Sequence, residues 1–247
     1  MTKPIASIIT PTFGREHLLP AAYKGFAQQS VPDIEWLVLD DSPEPSAFMR
    51  GLDDPRVRYE HLGQKISIGE KRNRLVDQAR SDVIVQFDDD DHYSPEYVRI
   101  MVNEMQTRKC DFIKLTGFFL YSYLYRKYGF WNLMEKSGLH FRWSGGPMEC
   151  LTFQPGYAPF EMNHYGFGFS YVFRKQVWAR NPFQHLDHNE DGEFIMAALR
   201  QETPIALVGD DIGLCLHVLH QSNSAVCLPQ YLLPEALVRR IFPGFQP

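Results

Sequence analysis

Four aspartates in a row, Asp88 to Asp91, follow the apolar run Val83–Phe87. Adjacent carboxylates repel one another unless a cation sits among them. In extended backbone, residues two apart face the same way, so Asp88 and Asp90 can converge on one ion, with Asp89 between them. Carboxylate oxygens are hard ligands, which favours Mg²⁺ or Mn²⁺ over zinc. A second acidic pair, Asp40-Asp41, follows the run Glu35–Leu39 in the same way. Ligands of open α/β sheets bind beyond the carboxyl ends of the strands, so two strands would deliver carboxylates to one sheet edge. The plainer reading of either run alone is an acidic, solvated turn.

A basic stretch complements these acids. Ile68-Gly69-Glu70-Lys71-Arg72-Asn73-Arg74 reads as a helix start. Cations there oppose the helix macrodipole, at about 0.3–1 kcal/mol each. A bound anion reverses the sign, because free N–H groups and basic side chains would both face it. Lys71 and Arg72 are therefore candidate contacts for a phosphate or nucleotide, with Gly69 allowing close approach. The alternative is a solvated face with a Glu70–Arg74 pair. Metal ligands, cations and a sheet edge together describe a nucleoside diphosphate site.

The elements that must position these groups alternate. Ile5–Thr10, Glu35–Leu39 and Val83–Phe87 are predicted strands, and Leu18–Gln29, Ile68–Arg80 and Pro95–Arg108 are predicted helices. This βαβ rhythm predicts an α/β fold with a mostly parallel, Rossmann-like sheet flanked by helices. Ser67 to Glu70 forms a capping box, and Ser94-Pro95 reads as an N-cap followed by a first-turn proline. From Gly117 to Trp178 the rhythm gives way to Tyr, Phe, Trp and Gly, which predicts a smaller, loop-rich antiparallel region. A helix over Glu190–Arg200 and apolar runs at Ile205–Val208 and Ile212–Leu219 follow. From Leu228 a tail with four prolines is expected to drape over the surface.

Composition bounds the rest. The 247 residues are 44% hydrophobic and 22% charged, which excludes a disordered, collagenous or disulfide-stapled chain. A formal net charge of −5 argues against nucleic acid as partner. Cys110, Cys150, Cys215 and Cys227 are scattered, as free thiols in a reducing compartment would be. Met1 to Pro11 lacks the apolar core of a signal peptide, and Phe118–Tyr125 is too short to span a bilayer. The expectation is a cytoplasmic protein without a transmembrane segment.

In order along the chain, several motifs resemble the inverting family 2 glycosyltransferases with the GT-A fold. Ser7-Ile8-Ile9-Thr10-Pro11-Thr12-Phe13-Gly14-Arg15 resembles their opening strand and loop. Val38-Leu39-Asp40-Asp41-Ser42 is similar to their second strand and acidic loop, and Lys71-Arg72-Asn73 to their Ala-Arg-Asn helix start. Phe87-Asp88-Asp89-Asp90-Asp91 resembles their DXD motif. Pro182-Phe183 with Glu190-Asp191 is similar to the segment carrying their base, and His220-Gln221-Ser222-Asn223-Ser224 to a late His-Gly-x-Asn-Thr stretch.

The resemblance implies a nucleotide-sugar donor, a divalent metal and inversion at the anomeric carbon. Thr10, Pro11, Thr12 and Arg15 would line the donor site. Asp41, with Asp40, would meet the base, and Arg72 the nucleotide. Asp88 would reach the ribose or sugar, Asp90 would ligate the metal, and His220 is a further ligand candidate. Asp191 would be the general base, with Glu190 as runner-up. The implied organisation is one GT-A domain: a donor half (1–116), an acceptor and catalytic half (117–227) and the tail (228–247). Ser42-Pro43 departs from the family's glycine. The Q-x-x-R-W signature of processive synthases is absent; Leu139-His140-Phe141-Arg142-Trp143 lacks the glutamine. Transfer of a single sugar is therefore expected, from a UDP-sugar to a saccharide or glycolipid.

The chemistry sets a minimum. The departing diphosphate needs charge neutralisation, and the acceptor hydroxyl needs a carboxylate on the opposite face of the sugar. Glu190-Asp191 could instead be ordinary first-turn acids of a helix capped by Asp187. His217 and His220 would point to opposite strand faces, so at most one joins the site. His185 and His188 read as loop residues near the acceptor. The aromatic segment with Arg126, Lys127 and Lys136 could stack on sugars or touch a membrane surface, and a packed flap is the plainer alternative. Gly166-Phe167-Gly168-Phe169 would shape the acceptor wall. Three rival readings are a D-x-D phosphatase, disfavoured by His92 two residues after Asp90, a nucleotidyltransferase that makes nucleotide sugars, disfavoured because the loop Thr10-Pro11-Thr12-Phe13-Gly14-Arg15 is poor in glycine, and a non-catalytic nucleotide- or carbohydrate-binding protein.

Overall fold

A computed structural model describes residues 3–156, 162–220 and 226–247. In chain order the elements are β1 (Ala6–Thr12), α1 (Leu19–Ala27), β2 (Ile34–Asp40), α2 (Ala47–Gly51), β3 (Val57–His61), α3 (Ile68–Gln78), β4 (Val83–Gln86), β5 (His92–Tyr93) and α4 (Tyr97–Thr107). They continue with β6 (Phe112–Leu115), β7 (Gly117–Ser122), β8 (Lys127–Asn132), β9 (Gly138–Arg142), β10 (Glu149–Phe153), β11 (Val172–Arg174), α5 (Lys175–Arg180), α6 (Glu190–Arg200), β12 (Ile205–Val208), β13 (Cys215–Leu219), β14 (Tyr231–Leu233) and α7 (Glu235–Ile241).

The chain divides into two compact units. One takes Met1–Asp90, Pro95–Lys114 and Gly166–Ala206; the other takes Asp91–Ser94, Leu115–Tyr165 and Leu207–Pro247. The first is built on a seven-stranded sheet in the order β12-β6-β11-β4-β1-β2-β3. Strands β4, β1, β2 and β3 run parallel, and β11 pairs antiparallel with β4 and β6. Every residue of β2 and β4 is buried, as expected of strands covered on both faces. The charged groups of β2 are buried with partners, and Glu35 accepts from Ser7 at 2.5 Å and from Arg80 Nε at 2.6 Å. A cluster of rings (Phe112, Tyr171, Phe173, Phe183, Phe194) packs below β6 and β11, with centroids 4.1–6.1 Å apart.

The second unit holds a five-stranded sheet, β14-β8-β7-β13-β5, and the antiparallel pair β9-β10. The aromatic segment is therefore sheet as well as loop, with Phe118, Tyr121, Tyr128 and Trp131 buried. The proline-containing tail does not drape. Its Tyr231–Leu233 pairs with β8, and Val238 and Phe242 enter the cluster formed by Phe119, Tyr121, Tyr128 and Leu216. Pro234 serves as the N-cap of α7, and Pro243 follows its end, positions where proline costs no helical hydrogen bond. Gly213, at φ +83°, must lack a side chain, because a Cβ would lie 2.0 Å from Ile241.

Two boundaries move for identifiable reasons. Strand β13 begins at Cys215 rather than Ile212, because the Asp210 carboxylate takes the N–H groups of Gly213, Leu214 and Cys215. Helix α4 begins at Tyr97, not Pro95, and has no side-chain cap. Ser94 is engaged elsewhere: its N–H extends the β5–β13 pairing by donating to Leu214 O at 2.9 Å. Among the described residues no helix is long and apolar enough to cross a membrane.

Candidate functional site

Strand β1 ends in a loop that turns back on the acidic run. The Thr10 hydroxyl donates to Phe87 O at 2.9 Å, and the Thr12 hydroxyl donates to Asp89 at 2.5 Å. Gly14, at φ +66°, lets the chain turn past Pro11 and Thr12, and its N–H donates to the Ser42 hydroxyl. Arg15 then reaches Asp89 at 2.6 Å and Asp90 at 2.9 Å. Burial works against the Arg15 charge, but Asp89 and Asp90 outweigh it and hold the guanidinium above its ordinary range. Burial and then the charge of Asp90 push the Asp89 carboxyl up, against the pull of Arg15 and Thr12. A cavity of about 430 Å³ opens beside this loop, lined by Thr12, Arg15, Asp40, Ser42 and Ala47 among others.

The second acidic pair is turned inward. Asp40 accepts from the N–H and hydroxyl of Ser42 and from the Tyr59 hydroxyl at 2.7 Å. Asp41 accepts from Ile66 N–H at 2.9 Å and pairs with Lys71 Nζ at 2.6 Å. Lys71 also donates to Thr12 O, and both members of the pair are buried. The Lys71 ammonium, expected on a phosphate, is thus engaged in tying α3 to the ends of β1 and β2.

Helix α3 starts as the capping box predicts, with Glu70 N–H donating to Ser67 Oγ. The segment after Phe183 is laced onto its first two turns. Asn73 donates to Phe183 O at 2.8 Å and accepts from Phe183 N and Trp178 Nε1. A Cβ on Gly69 would lie 1.8 Å from Gln184 O, so what approaches that glycine is the chain's own backbone, not a ligand. Asp187 accepts from Ile68 N–H at 3.2 Å, capping α3 rather than α6. Helix α6 is preceded by Asn189 in the left-handed region at φ +60°. Gly192 likewise leaves no spare room, since a Cβ there would meet Asn189 Oδ1 at 2.2 Å. Glu70 and Arg74 do form their surface pair, at 2.8 Å.

This lacing brings Glu190-Asp191 to Arg72. The Arg72 guanidinium forms a buried ion pair with Glu190, lies 3.7 Å from Asp88 and sits over the Phe183 ring. Burial opposes its charge, yet Glu190, Asp88 and Asp191 hold it above its ordinary range. Burial pushes the Glu190 carboxyl up, with Arg72 opposing. Asp191 is half-buried; it accepts from Gly168 N–H at 2.7 Å and from Gly192 N–H at 2.8 Å.

The acidic run is a turn rather than extended strand, and it still gathers its carboxylates. Asp88 and Asp90 each offer an oxygen, and these atoms lie within 4.8 Å of each other. Two hard oxygen donors at that spacing fit Mg²⁺ or Mn²⁺, which take their remaining ligands from substrate and water. His220 is half-buried and is not a member of this group. The histidine of β13 that holds an aspartate is His217, with Nδ1 2.8 Å from Asp91, which also accepts from Val218 N–H. The rest of the late motif, 221–225, lies outside the described residues. His185 is exposed, 4.0 Å from Glu70. Sequence reasoning missed Lys114, fully buried in β6, although a lone lysine inside the apolar run Phe112–Leu115 was its signal.

A mostly parallel sheet with acids at its strand ends is the arrangement of the GT-A glycosyltransferase fold, which the solved structures below share. Residues 7–158, more than half the chain, match the model of glycosyl transferase family 2, and the chain belongs to that family. Residues 1–349 of S. aureus TarS, solved in complex with UDP-GlcNAc, superpose with a TM-score of 0.66 at 18% identity, over 89% of this chain and 61% of that one. The Campylobacter jejuni GalNAc(5)-diNAcBac-PP-undecaprenol beta-1,3-glucosyltransferase is 36% identical over 94 residues, which are 36% of this chain and 30% of that protein. An Escherichia coli protein, provisionally named a colanic acid biosynthesis glycosyl transferase, is 27% identical over 107 residues, 42% of this chain and 38% of its own. The chain thus spans about a third of the length of these two curated relatives.

Proposed function

We propose that the chain is a metal-dependent, inverting glycosyltransferase that moves one sugar from a UDP-sugar to an acceptor hydroxyl. The observation that carries this reading is the division of labour in the Glu190-Asp191 pair. Glu190 is committed to Arg72, whereas Asp191 is half-buried and aimed by two backbone N–H groups. Asp191 is therefore the group free to take the proton of the acceptor hydroxyl as its oxygen attacks the anomeric carbon. Attack comes from the face opposite the departing diphosphate, so the configuration inverts. Arg72 fixes Glu190 and presents positive charge beside Asp88. Asp90 and Asp88 would hold a divalent ion, which supplies Lewis-acid neutralisation of the leaving diphosphate.

The donor class follows TarS, whose structures in complex with UDP-GlcNAc and UDP share this fold. The cavity beside Thr12, Asp40 and Ser42 would take the nucleoside. The acceptor is a saccharide or glycolipid of bacterial polysaccharide or glycoconjugate synthesis, the setting in which the E. coli and C. jejuni relatives are named. The work is cytoplasmic, with membrane contact at the exposed Tyr123 and Leu124.

The test is UDP release from a panel of UDP-sugars with Mn²⁺, with the anomeric configuration of any product read by NMR. Asp191→Asn should lower kcat about 10²–10⁴-fold while UDP still binds. Wild-type turnover in that variant would remove the proposed base, and retained configuration would remove inversion.

A further inference from the structure

Lys114 is buried where the proposed chemistry asks for no lysine. It lies in β6 with 0% exposure, among Phe112, Ile113 and Leu115, all equally covered. An ammonium in such a place costs several kcal/mol unless its surroundings compensate. Its Nζ donates to the carbonyl oxygen of Gly166. Two residues on, Gly168 N–H donates to Asp191 at 2.7 Å. Between them, Phe167 is held at φ +69°, a conformation that a bulky aromatic residue adopts only when its neighbours impose it. Gly168 has no room to adjust, since a Cβ there would lie 2.7 Å from the Asp191 carboxylate. The turn is thus strained, tight, and fastened at one end by Lys114 and at the other by Asp191.

We propose that Lys114 is a positioning residue for the reaction: its ammonium clamps Gly166, and the turn Gly166–Phe167–Gly168 transmits that clamp to the carboxylate of Asp191. The inference rests on the reading of Asp191 as the general base. Burial pushes the Lys114 amine down to about 7, with the charge of Asp191 opposing. The ammonium is therefore present below about pH 7 and lost above it. The other groups facing this corner are Arg72 from α3, Glu190 from α6, and the phenol of Tyr171 ahead of β11; Asp88 faces Arg72, and His188 faces Glu190. Arg72 keeps its charge throughout, whereas Lys114 changes state near neutrality.

The experiment pairs kinetics with the amide proton of Gly168, in ¹⁵N-labelled protein. Lys114→Met keeps the length of the stem and removes the charge. It should lower kcat for UDP release about 10–100-fold, the scale of a small misplacement of a reacting group. The donor KM and the UDP-induced rise in melting temperature should stay unchanged. The Gly168 amide should move upfield as its bond to Asp191 lengthens. Lys114→Arg should recover most of both. In the unmutated protein the same amide should show an inflection around pH 7, absent from the Met variant. Wild-type kcat with an unmoved Gly168 amide in Lys114→Met would overturn the proposal, as would loss of UDP stabilisation along with kcat. Should that variant not fold, the inflection is read in the unmutated protein and in Lys114→Arg, whose cation does not titrate, and its absence from the first or its persistence in the second also overturns the proposal. Asp191→Asn separates the two readings: full turnover there sinks the base assignment, whereas the Gly168 inflection still reports the clamp.

Discussion

Arg72 ties the start of α6 to the acidic run, because one guanidinium pairs with Glu190 and reaches Asp88. A buried pair is fragile in a particular way: removing one partner leaves the other charged and unsolvated, at about 3–5 kcal/mol. Arg72→Met should lower the unfolding free energy by about that amount in urea titrations. The double variant Arg72→Met, Glu190→Gln should recover part of the loss, because no lone buried charge remains. Equal destabilisation of single and double variants would contradict the pairing. At this scale residue types were legible from sequence, and their partners were not. Asp88, Asp90 and Arg72 stood out by type and spacing and Asp191 through the family resemblance, and their roles are those proposed above. That Lys71 belongs to Asp41, and Asp187 to Ile68, follows from contacts between residues 30 and 119 positions apart.

Elements whose cause is local were legible to within a few residues. The Ser67–Glu70 box and the Glu190–Arg200 helix stand where periodicity and capping put them. Elements with distant neighbours were not, such as α4, which starts only at Tyr97 while the Ser94 N–H ahead of it pairs with Leu214 O. The fit of the 183–187 segment against α3 gives a test at this scale. Gly69→Ala drives a methyl into Gln184 O, so about 1–3 kcal/mol of stability should be lost, read from the urea midpoint. Turnover should fall as well, since Glu190 and Asp191 ride on that segment. In the second unit, burial raises the Asp210 carboxyl to about 6, against the pull of the N–H groups it accepts from. The fold holds that proton more tightly than the unfolded chain, where such a carboxyl titrates near ~3.9. Its contribution to stability should be full below about pH 4 and fade as pH rises through about 6. Urea unfolding across that window should show the decline, and Asp210→Asn should flatten it; an identical slope in the variant would assign the effect elsewhere.

For the molecule as a whole, a chain of net charge −5 with the proposed diphosphate substrate would need local positive charge at the site. Arg15, Lys71 and Arg72 are already engaged with Asp89, Asp90, Asp41, Glu190 and Asp88. On the proposed function, a further cation would make the acidic turn compatible with UDP, and that linkage between metal and nucleotide is the centre of the account. The most direct measurement is the melting temperature with UDP, in Mn²⁺ and in chelator, for the unmutated protein and for Asp90→Asn. At UDP about 100-fold above its dissociation constant, Mn²⁺ should allow a stabilisation of about 2.7 kcal/mol, or about 5–10 °C. The shift should vanish in chelator and shrink sharply in Asp90→Asn. Equal stabilisation by UDP with and without metal would contradict the account.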